Sequence, residues 1–129
     1  MVLNYDCVRD ILLTLEEHLT LDDDLQYQDI SLNELSGLLP DYSLADIAYA
    51  SKMLTEADYI DTAIIDADGQ IITIHYFSLT FEGHKYLDTI RSPQLWSDIK
   101  TSFKDKAISL SFDLITAFGT ALIKSRLFS

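Results

Sequence analysis

The stretch LTFEGHKYLD, Leu79 to Asp88, opens like a helix yet sets Gly83 in its first turn. Glycine inside a helix costs about 1 kcal/mol relative to alanine. Thr80 has the side chain of an N-cap, Phe81 and Glu82 fill the first turn, and Tyr86, Leu87 and Ile90 continue an apolar face. A residue without a β-carbon is worth its local cost where two backbones must approach closely. Gly83 therefore predicts a helix that starts hard against the sheet or a neighbouring helix.

Working backwards, YIDTAIIDADGQIITIHYF, Tyr59 to Phe77, has β-branched and aromatic residues on both sides of Asp68-Gly69. That dipeptide is a strong hairpin turn signal. Two capped helices precede it. In ISLNELSGLL, Ser31 and Glu34 form a capping box with Ile30 and Leu35 as its staple. In YSLADIAYASKMLTEA, Ser43 and Asp46 make a looser box, and Gly37 and Pro40 keep the connection between the helices short. The first helix is expected over Tyr5–Leu19, with Val8, Ile11, Leu12, Leu15 and Leu19 on one face and Asn4 as N-cap. The run LTLDDDLQYQD after it reads as an acidic loop. Its aspartates lack the alternation and the glycine of a calcium-binding loop.

Helix, short helix, longer helix, hairpin, helix is the order of a winged helix-turn-helix. The expected fold is thus α+β and mostly helical, with a β-hairpin wing and two additional C-terminal helices. Its winged-helix domain would span residues 1–91. A helical extension, 92–129, would belong to the same globular unit and to a dimer interface. Ser92 and Pro93 cap the first helix of that extension, with Trp96, Ile99 and Phe103 inward and Lys100, Lys104 and Lys106 exposed. From Ala107 to Ile123 a single charge, Asp113, interrupts an apolar run. The run is too short and too polar for a membrane span. Burial against a second copy through Leu114, Phe118, Ala121 and Leu122 is the expectation.

Charge is the least ordinary feature, with 21 acidic residues against 9 basic ones and a net of −12. Residues 1–60 carry −11, 61–92 carry −3, and 93–129 carry +2. A field of that sign repels phosphate and attracts basic partners. Cys7, the sole cysteine, excludes an intrachain disulfide. With no secretory signal at the N-terminus, it points to the cytoplasm.

Val8–Leu19, Leu44–Ile60, Leu79–Arg91 and the following LWSDIK together resemble an uncharacterised domain family of bacteria, prophages and phages. The resemblance implies a winged-helix-like domain of unknown biochemical role and brings no catalytic residues.

Chemistry has no visible foothold. His18, His75 and His84 show no metal-ligand spacing with one another or with Cys7, and no phosphate loop or nucleophile motif occurs. No catalytic residue, metal or cofactor is expected. Cys7 could have its pKa lowered at a helix start, but without a general base it reads as a small buried residue. In a winged helix the second helix of the pair enters the major groove. Here that helix offers one lysine against two acids, and the hairpin tip is acidic as well. A protein-interaction surface of Asp46, Tyr49, Lys52, Met53, Glu56, Asp66 and Asp68 is expected, with a basic protein partner. A DNA-binding regulator is the alternative, and it would need the Lys100, Lys104 and Lys106 surface to help.

Overall fold

In a computed structural model, which describes residues 1–128, helix α1 (Tyr5–His18) buries Cys7, Val8, Ile11, Leu12 and Leu15. Asn4 caps it by accepting from the Cys7 N–H at 3.0 Å. Leu19 lies outside as the C-cap, one residue short of the expected end.

The acidic run that follows is not a plain loop. Thr20–Leu21 (β1) pairs antiparallel with Tyr27–Gln28 (β2), a correction to the sequence reading. The Asp22 carboxylate closes the turn, accepting from the Asp24 and Gln26 backbone N–H groups at 2.9 Å each. Leu25 takes the left-handed conformation there. The first aspartate of the triplet is therefore a turn former, while Asp23 and Asp24 stay exposed.

Ile30–Ser31 (β3) leads into α2 (Leu32–Leu38), where Ser31 and Glu34 complete the capping box in both directions. After a short turn, α3 (Leu44–Glu56) starts at Ser43, whose Oγ accepts from the Asp46 N–H at 3.1 Å. Tyr42, in that turn, donates to Asp10 of α1 at 2.6 Å. Burial, and then this bond, raise its pKa well above the usual tyrosine range.

Strands β4 (Ile60–Ala67) and β5 (Gln70–Leu79) form the expected hairpin. Asp68 and Gly69 both take positive φ, which is the primed turn that matches strand twist. β3 pairs with the far side of β5, giving the sheet order β3-β5-β4. Ile60, Ile74 and Tyr76 come from that sheet to the core, joining Leu32 and Leu35 of α2 and Ile47, Ala50 and Leu54 of α3. Each such large apolar side chain contributes about 1.5–3 kcal/mol by burial.

Gly83 stands where it was expected, at the start of α4 (Phe81–Ile90), and its partner is a loop rather than a sheet or helix. A β-carbon there would sit 2.8 Å from the Tyr59 carbonyl carbon and nearer still to its oxygen. α3 ends in a Schellman turn: Tyr59 N–H bonds to Leu54 O, Asp58 N–H bonds to Thr55 O, and Asp58 is left-handed at φ 63°. That turn is clamped by α4's own cap residue. Thr80 donates its N–H to Tyr59 O at 3.1 Å and its hydroxyl to Asp58 O at 2.5 Å, while accepting from the Gly83 N–H at 3.0 Å.

The chain divides into two compact units, one of residues 1–84 and a second beginning at Lys85. In the second, α5 (Pro93–Asp105) is capped by Ser92 and buries Leu95, Trp96, Ile99 and Phe103. Lys100 is not free in solvent as expected. It is half-buried, its ammonium 5.6 Å from the centre of the Trp96 ring.

α6 (Phe112–Phe128) begins five residues later than the apolar run suggested. Ala107, left-handed at φ 55°, ends α5 in a second Schellman turn, and Ser111 then caps α6. α6 turns Ile115 and Gly119 inward, while its opposite face stays open. In all, the described residues form a mostly helical α+β fold of six helices and two small antiparallel sheets. Among them, no helix is long and apolar enough to cross a membrane.

Candidate functional site

α3 is pinned to the sheet by two polar contacts inside an apolar setting. The hydroxyls of Ser51, fully buried, and Tyr76 lie 2.6 Å apart. Those of Thr55 and Thr62 lie 2.9 Å apart, and Thr55 also donates to the Ser51 carbonyl. A buried hydroxyl without a partner would cost about 1–3 kcal/mol, so these pairs fix the rotation of α3 about its axis. Burial pushes the Tyr76 phenol up to about 12, against the opposing effect of its bond to Ser51.

With that rotation fixed, Asp46, Lys52 and Glu56 point to solvent, and Tyr49 and Met53 are half-buried. The hairpin rises beside them. A register shift between Ile65 and Asp66 bends β4 just before the tip. The result is an open concave surface of about 530 Å³. Ala45, Ala48, Tyr49 and Lys52 line it from α3, and Asp66, Gln70 and Ile71 from the hairpin.

Of the residues singled out from the sequence, Tyr49, Lys52 and Asp66 meet at this surface. Asp46, Met53, Glu56 and Asp68 do not line it. Asp46, Glu56 and Asp68 are nevertheless exposed on the same two elements. Ala45, Ala48 and Ile71, its apolar floor, went unmarked because small and aliphatic residues in a helix or strand read as core. Met1 also lines the surface and had no signal of any kind.

The electrostatics are one-sided. The first 84 residues hold 17 acidic and 2 basic side chains. One of the two, Arg9, is half-buried with its guanidinium 3.8 Å from Asp10, which leaves Lys52 as the exposed basic side chain of this unit. The field reaches into the core. Burial first, then Asp46 and Asp10, raise the Cys7 thiol to about 12, the opposite of activation at a helix start. Burial and Tyr49 likewise raise Tyr5.

The histidines lie elsewhere: His75 Nδ1 is 3.1 Å from Asp29, and His84 Nδ1 is 3.8 Å from Glu16. Among the described residues, no group of three or more His, Cys, Asp or Glu could hold a metal ion.

Comparison with known proteins adds kinship. A family model described as Hypothetical protein (DUF2513) matches residues 2–109. An uncharacterised protein of Haemophilus influenzae is 31% identical over 129 residues, covering 96% of this chain and 97% of that one. No solved structure matches the chain.

Proposed function

The chain belongs to the DUF2513 family of hypothetical proteins, and we propose that it is a non-enzymatic interaction module on a winged-helix scaffold that docks a basic protein partner. The scaffold reading is supported by the order α1, β3, α2, α3, β4, β5 and by the sheet order β3-β5-β4. In that reading α3 stands in the place of the recognition helix, and the β4–β5 hairpin is the wing. Fold alone names no partner, so the argument rests on the surface.

One observation carries the proposal. Where a DNA reader presents arginines and lysines, this chain sets Asp66 beside an apolar floor and exposes Asp46, Glu56 and Asp68 on the same helix and hairpin, with Lys52 as the exposed basic side chain among them. A peptide face with an apolar centre and lysines or arginines at its edge is complementary in both shape and sign. A cytoplasmic setting fits the single buried thiol, and a phage or prophage accessory role fits the family resemblance.

The position of α3 favours a second reading, a DNA-binding regulator. Fluorescence anisotropy separates the two. A labelled amphipathic peptide rich in lysine and arginine should bind, and salt should weaken that binding. Asp66→Lys with Asp68→Lys should lower its affinity about tenfold. A labelled duplex should stay free under the same conditions. Submicromolar duplex binding that falls steeply with salt would reverse the assignment.

A further inference from the structure

We infer that two copies of this chain associate through antiparallel α6 helices, each seating its Phe128 in an apolar groove of the other. The inward face of α6 is settled first. A β-carbon at Gly119 would lie 2.8 Å from the Thr89 carbonyl oxygen and 3.2 Å from its Cβ, so this side of the helix is pressed against α4. The opposite face therefore carries Leu114, Ala117, Ala121, Ser125 and Phe128, at steps of three or four residues.

That face holds two unlike features. At one end lies an open apolar groove of about 320 Å³ between the end of α5 and α6, walled by Phe103, Ile108, Leu114 and Phe118. At the other end Phe128 projects, 86% exposed, beside Leu127 at 72%. Between them stand only small side chains. The stripe thus runs large, small, small, small, large, and it mirrors about Ala121.

A two-fold axis at Ala121 acts on that symmetry. It sets Ala121 against its own copy, Ala117 against Ser125, and Phe128 against the Leu114 end of the groove. Residues this small let helix axes approach to about 8 Å, the lower end of the usual range. The contact is isologous, so it closes at two copies.

Charge selects a second copy as the occupant. Asp113 and Lys124 flank the stripe on the same side, and the two-fold axis brings the carboxylate of each copy toward the ammonium of the other. Arg126 pairs with Asp98 within its own chain and does not intrude. From Lys85 onward the chain carries 4 acidic and 7 basic residues, a net of only +3, so two copies can approach here. Two of the acidic first units would repel each other.

Sedimentation equilibrium on the full chain tests this. The 14.6 kDa chain should show doubled mass at micromolar concentration. Phe128→Ser and Ala121→Glu, both at exposed positions, should return it to monomer mass with an unchanged circular dichroism spectrum. Ala121→Cys should oxidise to a covalent dimer, since Cys7 is fully buried and does not compete. Glu56→Cys, on α3, should not. Monomer mass at every concentration overturns the inference. So does a dimer that survives both substitutions, or one in which the Ala121→Cys variant fails to cross-link.

Discussion

Up to His84 the chain carries 17 carboxylates and 2 cations; from Lys85 it carries 4 and 7. In the acidic unit the core-facing residues of α1 and α3 are buried and the Ser51 and Tyr76 hydroxyls are paired, while an open surface remains between α3 and the hairpin. The second unit, nearly neutral by comparison, leaves one side of its longest helix open. Both units therefore keep an open surface, one among carboxylates and one nearly free of charge. Carboxylates on the rim are solvated and cost the core little, whereas the open face of α6 is a matter of missing apolar cover. On the two proposed readings, the surface of one sign takes a partner of the other sign and the uncharged stripe takes a copy of itself.

Both units also rest on a glycine under a backbone, and this gives the largest effects. Gly83→Ala puts a methyl group into the Tyr59 carbonyl, which the Thr80 N–H holds in place. Overpacking against a clamped backbone should cost more than about 3 kcal/mol. That corresponds to a loss of roughly 10 °C or more in Tm, read by thermal circular dichroism. Gly119→Ala meets the Thr89 carbonyl less closely, and α6 has an open side toward which to shift. About 1–2 kcal/mol is expected there. If Gly119→Ala proved the worse of the two, the contrast between a clamped and an adjustable contact would be wrong.

These two glycines also show how far the sequence could be read. Gly83 was legible because Thr80 announced a helix start three residues earlier, so a glycine in that turn needed a reason. Gly119 sits in mid-helix among Ala117, Thr120 and Ala121, where nothing set it apart. The Asp68-Gly69 turn, the Ser31–Glu34 box and the Ser92-Pro93 start were all visible for the same cause: their chemistry lies within a few residues. The strands β1, β2 and β3 were not. Two residues each cannot show a period, and β3 exists only because β5, more than forty residues on, offers it a register. At the candidate site the charges were legible and the floor was not. Which alanines face a hollow depends on the Ser51–Tyr76 and Thr55–Thr62 pairs, and those are tertiary contacts.

Alkali probes the core of the acidic unit from inside. Burial raises Cys7 from its ordinary 9.0 to about 12 and Tyr76 from 10.0 to about 12. Both are neutral when folded and ionise more readily once unfolded. Their contribution is fully present below pH 9 and is lost as pH rises toward 12. Each group adds a slope of up to about 1.4 kcal/mol per pH unit inside its own window. Urea melts at pH 8, 9.5 and 11 should show that decline, and Cys7→Ala should make it shallower. A thiol of this kind should also resist alkylation at pH 8 until the chain is unfolded.

The smallest effect compares one turn in two settings. Asp58 and Ala107 each end a helix in a Schellman turn with left-handed backbone, where glycine is the usual residue. A β-carbon in that conformation costs about 1 kcal/mol. Ala107 has only a methyl group there and is exposed, so Ala107→Gly should recover that amount and raise Tm by a few degrees. Asp58 can lower its cost, because a short polar side chain tolerates the left-handed region better than alanine does. Asp58→Gly should then gain less than Ala107→Gly, although it stands in the better-packed turn. Equal gains in urea melts would mean that the backbone alone sets the cost, and that the aspartate side chain does nothing for the turn on which Gly83 rests.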